Sequence, residues 1–193
     1  LDRFFDGLDC DSVVIDNEQA SFDATQHLID NKFKNICFIS TASDQSQMYG
    51  RLHGYEKAVE KNGLKPYVLQ IPFEQIIKGK GKEYIKKFFE QNKDLDAVFF
   101  STNYLAQSGL EVLKETNQNL IKDLGLIAFD DNDMFKIYDP TITSVAQPLV
   151  EISSKLMEVM LPLLKKKDVS ETHQKIVLKT ELIIRQSSLA KQK

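Results

Sequence analysis

Three carboxylates follow an apolar run in the second half of the chain. The run 124–129 (LGLIAF) ends directly in Asp130 and Asp131, and Asp133 comes two residues later. Carboxylates at the end of a buried strand can hold a divalent metal, act as a nucleophile, or accept hydrogen bonds from ligand hydroxyls. Which of these chemistries is possible depends on the other residues that lie near the three carboxylates in the fold.

Apolar runs of strand length alternate with helical patterns along almost the whole chain. This alternation predicts an α/β fold, a mostly parallel sheet flanked by helices. Ligands bind such sheets at the carboxyl ends of the strands, so we expect a site built from the residues that follow each strand. These residues are Asp16, Asn17, Ser40, Thr41, Pro72, Phe73, Ser101, Thr102, Asn103, Asp130, Asp131 and Gln147.

The predicted elements can be placed by their apolar periodicity. Strands are predicted at 12–15, 36–39, 67–71, 96–100, 125–129 and 142–146, and the run 175–185 (KIVLKTELIIR) predicts a strand or a hairpin. Helices are predicted at 18–31, 46–62, 81–91, 103–116 and 149–166.

Composition excludes several classes of protein. The net charge of -3 gives no overall basic surface for nucleic acid, and no apolar run approaches the ~20 residues of a membrane span. Cys10 and Cys37 are far apart and match no disulfide or zinc spacing, which favours a reducing, cytoplasmic location.

The residues offer little support for catalysis. A magnesium site could pair Asp130 with Asp16, as in phosphotransfer domains, but no lysine follows a central strand. The three histidines stand at no strand end, and the sequence has neither a GxSxG nor a GxGxxG motif. We therefore expect no enzyme activity, no metal and no cofactor. A ligand site without chemistry suits the residues better, because Arg51 could form paired hydrogen bonds with hydroxyls or a carboxylate.

Seven ordered segments together resemble one protein family. They are VVIDN (13–17), HLIDNKFKNICFIS (27–40), RLHGYEKAV (51–59), DAVFFSTNYLAQSGLEVL (96–113), LGLIAFDD (124–131), PTITSVAQP (140–148) and ELIIRQSS (181–188). This pattern resembles the effector-binding domain of the lac repressor/galactose repressor family of bacterial transcription regulators, which is related in fold to periplasmic binding proteins of type I.

The resemblance implies a two-lobed domain that follows an upstream helix-turn-helix DNA-binding domain. Residues 16–146 and 169–188 would form chiefly the C-terminal lobe. Residues 1–15 and 147–168 would be remnants of the N-terminal lobe, with 189–193 as a tail. The chain would thus be a fragment without its DNA-binding domain.

The resemblance also assigns an effector site. Its expected contacts are Arg51 of an R-x-x-G motif, Asn103, Asp130 as a hydroxyl acceptor, and Phe73 as a stacking face. Asp2 and Gln147 are further pocket members. The chain departs from the family at Tyr104, where aspartate is common, and at Ala128, where glycine is usual.

The function so implied is sensing of a small polar effector, a sugar or sugar derivative, between two lobes of a dimer that binds operator DNA. Purine-like or phosphorylated effectors are further options, because members of the family bind both. The helix at 103–116 and Tyr138 are candidates for the dimer surface. A sugar-binding protein of a transporter is the alternative, since it shares the fold, and a metal-dependent phosphotransfer enzyme is the third.

Overall fold

The computed structural model describes residues 10–116, 124–164 and 173–190. Its strands are β1 (Ser12–Ile15), β2 (Ile36–Ala42), β3 (Tyr67–Pro72), β4 (Ala97–Phe100), β5 (Gly125–Phe129), β6 (Thr143–Ala146), β7 (Lys175–Leu178) and β8 (Glu181–Ile183). Its helices are α1 (Asn17–Asp30), α2 (Ser46–Lys61), α3 (Phe73–Ile77), α4 (Gly81–Gln91), α5 (Asn103–Thr116), α6 (Met134–Ile137) and α7 (Leu149–Leu164), and a 3-10 turn spans Gln186–Ser188.

Six of these strands form one sheet in the order β3-β2-β4-β5-β6-β8. The first five are parallel to one another, and β8 pairs antiparallel with β6 at the edge. β1 and β7 form a separate two-stranded parallel sheet. The predicted α/β fold with a mostly parallel sheet is confirmed.

Both faces of the six-stranded sheet are buried, because helices pack on each of them. Successive side chains of a strand point to opposite faces and so enter different cores. Val98 and Phe100 of β4 pack in a core with α4 and α5. Ala97 and Phe99, which alternate with them, pack in a second core with α1 and α2. The uninterrupted apolar strands of the sequence follow from this double coverage.

Two local predictions are wrong. The run 175–185 is not a hairpin, because β7 pairs with β1 and β8 pairs with β6, with Lys179 and Thr180 between them. No helix is predicted between the strand at 67–71 and the helix at 81–91, but residues Phe73–Ile77 form the short helix α3.

The division of the chain between two lobes stays a prediction. It assigns β1 to the N-terminal lobe and β7 to the C-terminal lobe, yet the two strands pair with each other. Val13 and Ile15 of β1 also share a core with α1 and α2.

Candidate ligand-binding cleft

A cleft of about 320 Å³ lies at the carboxyl ends of the central strands. The chain leaves β2 for β3 on one side of it and later enters β4 on the other side, so strand order reverses between β2 and β4. Such a reversal opens a crevice where open α/β sheets bind ligands. The cleft is lined by Thr41, Ser43, Gln45, Gln47, Met48, Arg51, Phe73, Thr102, Tyr104, Asp130 and Gln147.

Arg51 is held in place on three sides. Its Nε donates to Oδ1 of Asn17 at 2.8 Å, and its Nη1 donates to the backbone oxygen of Ser101 at 2.7 Å. The guanidinium carbon lies 3.6 Å from the centre of the Phe129 ring, a cation–π contact. With only 2% of its surface exposed, the arginine side chain has little rotamer freedom left to lose when a ligand binds.

The close packing of α1 on α2 brings Asn17 to Arg51. Gly54, one turn beyond Arg51, makes this packing possible, because a Cβ at that position would collide with the backbone oxygen of Glu18. Ser21 of α1 adds a hydrogen bond from its Oγ to the backbone oxygen of Arg51 at 2.5 Å. The R-x-x-G spacing therefore combines an arginine that lines the cleft with the glycine that lets α1 pack closely beside it.

Asp130 stands directly after β5 with a positive φ of 69°. Asparagine and aspartate tolerate this left-handed conformation better than most residues. Its Oδ1 accepts a hydrogen bond from Nε2 of Gln147 at 2.5 Å, and its Oδ2 lies 3.7 Å from Nη1 of Arg51. The carboxylate thus stands between an amide donor and a guanidinium, with its side chain still a quarter exposed.

Asp131 has a different environment although it is the next residue. Its two carboxylate oxygens accept hydrogen bonds from Nη1 and Nη2 of Arg185, at 2.8 and 3.1 Å, and Oδ1 also accepts one from Ser144 Oγ. Partial burial opposes ionisation, but the hydrogen bonds from Arg185 and Ser144 outweigh it and lower the pKa of Asp131. The Asp131 carboxylate therefore links β6 to the segment after β8 by hydrogen bonds.

The predicted site residues fall into three groups. Arg51, Phe73, Asp130 and Gln147 line one cleft. Asn103 does not line it, although its neighbours Thr102 and Tyr104 do, so a ligand contact by Asn103 stays a prediction. Asp2 lies outside the described residues.

Several members of this arrangement are not evident from the sequence. The sequence marks Asn17 only as a residue after a strand, and it signals neither the role of Phe129 beneath Arg51 nor the pairing of Asp131 with Arg185. These contacts join residues 34 to 78 positions apart in the chain, so no local pattern reveals them.

The metal hypothesis gains no support from the geometry. Asp16, the partner it requires, does not line the cleft and accepts a hydrogen bond from the backbone N–H of Thr180 at 2.9 Å. Within the ranges that the structure describes, no three histidine, cysteine or acidic side chains group as metal ligands would.

Comparison with known proteins identifies the architecture. The family of periplasmic binding protein-like domains matches residues 25–188. The chain belongs to this family. The HTH-type transcriptional regulator RegA from Clostridium saccharobutylicum is 35% identical over 179 residues, which cover 92% of this chain and 53% of RegA.

Two solved structures share the periplasmic binding protein-like fold. A transcription regulator from Staphylococcus saprophyticus is 26% identical with a TM-score of 0.84, and the match covers 98% of this chain and 69% of that one. A LacI family regulator from Enterococcus faecium with bound ribose is 19% identical with a TM-score of 0.80, covering 94% of this chain and 66% of that one.

These matches confirm the resemblance to lac repressor-type regulators that the sequence suggests. The chain spans about half the length of RegA. No helix in the described segments is long and apolar enough to cross a membrane.

Proposed function

We propose that this chain is the ligand-sensing part of a bacterial transcription regulator and that its cleft binds an uncharged polyhydroxyl compound, a sugar or sugar derivative. The observation that carries the proposal is the pair formed by Arg51 and Asp130 at the reversal of strand order. One residue offers fixed N–H donors and the other offers acceptor oxygens, which is what vicinal hydroxyls require, since each hydroxyl both donates and accepts.

The charge of the cleft supports an uncharged ligand. Among the described residues that line it, Arg51 is the one basic side chain and Asp130 the one acidic side chain, and they lie 3.7 Å apart. A phosphate group would bring negative charge next to Asp130 and would have to compete with it for Arg51. A neutral hydroxyl group meets no such repulsion.

The relatives support a regulator more than the transporter alternative. RegA and the two solved proteins are transcription regulators, and the Enterococcus faecium protein of the same fold binds ribose. Because these relatives are transcription regulators, we expect this chain to have no enzymatic activity.

Regulation would follow from a shift between two relative orientations of the lobes. A ligand that contacts Asp130 from one side and a second lobe from the other favours the closed orientation by its differential affinity. In a dimer, that orientation would set the spacing of helix-turn-helix domains on operator DNA. α5 and Tyr138 remain the proposed dimer surface. The Tyr138 hydroxyl donates a hydrogen bond to the backbone oxygen of Leu110 in α5 at 3.3 Å.

A thermal-shift screen tests the proposed ligand class, because a ligand that binds only the folded state raises the melting temperature. Neutral pentoses, hexoses and disaccharides are compared with the corresponding sugar phosphates. We expect at least one neutral sugar to raise the melting temperature of the wild type but not of Asp130→Ala. Stabilisation by sugar phosphates alone would contradict the proposal.

A further inference from the structure

Residues 186–190 are fixed at the amino ends of β5 and β6, on the opposite edge of the sheet from the cleft. The Oγ of Ser187 donates to the backbone oxygen of Leu126 in β5 at 2.6 Å. It also accepts a hydrogen bond from the backbone N–H of Thr143 in β6 at 2.9 Å. Ser188 is fully buried, and its Oγ lies 2.6 Å from Oγ1 of Thr143. The segment is therefore attached to both strands through serine hydroxyls.

Asn31, at the end of α1, determines which nitrogen of the His27 ring carries a proton. Its Oδ1 accepts a hydrogen bond from the backbone N–H of Ala190 at 3.0 Å, and its Nδ2 donates to the backbone oxygen of His27 at 2.9 Å. These two partners fix the orientation of the amide, because a backbone N–H can only donate and a backbone oxygen can only accept. The same Nδ2 lies 3.5 Å from Nδ1 of the ring, so Nδ1 must be the unprotonated nitrogen.

A neutral His27 completes a continuous series of hydrogen bonds. Its Nε2–H donates to Oγ of Ser188 at 2.8 Å. Ser188 then donates to Oγ1 of Thr143, and Thr143 donates to the backbone oxygen of Arg185 at 3.1 Å. The series links α1 through β6 to the segment that carries Arg185, the partner of Asp131.

We propose that His27 is a proton-sensitive latch, a side chain that holds residues 186–190 while its ring is neutral and releases them when the ring is protonated. A second proton would lie on Nδ1 and would point at the amide donor of Asn31. Turning that amide would remove this contact between two donors, but it would break the hydrogen bond from Ala190 and the one to the backbone oxygen of His27. Protonation therefore opposes the bond that holds Ala190.

The charged groups around α1 leave Asp30 as the one that acts on His27 within the described residues. Charged groups on neighbouring elements have other partners or face solvent. They are Arg185, which pairs with Asp131; His53 and Lys57, which pair with Glu18; Lys61, which lies over the Phe22 ring; and the exposed Lys32, Lys34, Glu56, Glu60 and Glu181.

Burial also favours the neutral ring. It is the largest effect and lowers the pKa of His27, while the Asp30 carboxylate and the hydrogen bond at Nε2 act in the opposite direction. Because the pKa is lowered in the folded state, the stabilisation is fully present above the ordinary histidine pKa and is lost as pH falls through the lowered value. The latch is therefore closed at neutral pH and opens in acid.

Hydrogen–deuterium exchange measured by NMR on the full chain tests the latch. Protection of the backbone amides of Arg185, Ser187 and Ala190 is measured from about pH 5 to 8, corrected for the intrinsic exchange rate, together with the titration of the His27 ring. As pH is lowered, we expect the protection of Ala190 to fall by at least about fivefold, the equivalent of one ordinary hydrogen bond. The midpoint should coincide with that of His27 and lie below the ordinary histidine pKa.

Two variants separate the latch from a general effect of acid. His27→Gln keeps a donor near the position of Nε2 but cannot be protonated, so the protection of Ala190 should become independent of pH. His173→Gln is the matched control, because it removes an exposed histidine and should leave the pH dependence of the wild type unchanged.

Three results would overturn the latch. They are wild-type protection that does not change with pH, a change whose midpoint differs from that of His27, and a change that persists in His27→Gln. The first two need only the wild type, so the test stands even if His27→Gln does not fold. No sugar is added in these measurements, so their outcome is separate from that of the proposed function.

Discussion

In the proposed ligand site, the orientation of Arg51 would depend on Asn17, which accepts a hydrogen bond from its Nε. Without that acceptor the guanidinium could turn away from Asp130, and a buried donor would lose its partner. Asn17 itself does not line the cleft, so it acts as a positioning residue.

Asn17→Ala should therefore weaken ligand binding by about tenfold, the equivalent of one hydrogen bond to a charged group. The measurement is calorimetric titration with the neutral sugar that stabilises the wild type. Gln19→Ala is a matched control, because Gln19 lies on the exposed side of α1 and its side chain donates to Asp23 on the same helix. Equal effects of the two variants would show that Asn17 has no special relation to Arg51.

The pair of Asp131 with Arg185 contributes to stability rather than binding. Asp131→Asn should lower the free energy of unfolding at neutral pH by about 2–3 kcal/mol, as for hydrogen bonds to charged groups. Asp133→Asn is the control, since Asp133 pairs with Lys136 on the open surface and its loss should not be measurable.

This contribution depends on pH in a defined direction. The folded-state pKa of Asp131 is lowered, so the stabilisation is fully present above the ordinary aspartate pKa and is lost as pH falls through the lowered value. Urea unfolding at several pH values should show the wild type and Asp131→Asn converging in acid. A constant gap between them would contradict the assignment.

At the scale of elements, the contact of α1 with α2 decides the geometry of the cleft. Gly54→Ala places a methyl group against the backbone of α1 and should destabilise the fold by about 1–3 kcal/mol or more. Because the helices must separate, Asn17 should also move from Arg51 and the affinity for sugar should fall. Gly81→Ala, where no atom lies within 4 Å of the added Cβ, should leave both quantities nearly unchanged.

The elements that can be predicted from the sequence are those with strong local patterns. The strands at 12–15 and 125–129 and the helix at 103–116 have the limits that apolar periodicity and turn residues predict. The prediction of a strand or a hairpin at 175–185 is wrong because an alternating pattern says which face is buried but not which strand is the neighbour. β7 and β8 each pair with a strand distant in sequence.

The candidate site can be predicted only in part, because the sequence indicates which residues follow a strand but not which side chains point into the cleft. The carboxyl ends of parallel strands share one edge, so the strand pattern alone predicts that Asp130 and Gln147 lie at the same edge. Arg51, inside a helix, is assigned to the site by the resemblance of its R-x-x-G motif. On the first turn of α5, however, each residue points about 100° away from the last, and sequence alone does not show that Tyr104 rather than Asn103 lines the cleft.

On the scale of the whole molecule, the described residues form a wall of the candidate cleft at the edge of the six-stranded sheet. Both faces of the sheet are covered, so the strand ends that carry Asp130 and Gln147 are fixed by two cores. Such a wall is suited to recognition with little reorganisation on binding. The change that a sensor needs would then come from the movement of lobes and not from this wall.

Calorimetric titration tests the proposed ligand site most directly. The neutral sugar that raises the melting temperature of the wild type most is titrated into the wild type and into Asp130→Asn. Asparagine keeps the shape of aspartate but replaces one acceptor oxygen by a donor and removes the charge opposite Arg51. We expect the affinity to fall by at least about tenfold while the fold is unchanged. Wild-type affinity in Asp130→Asn would contradict the role of Asp130 as the hydroxyl acceptor of the cleft.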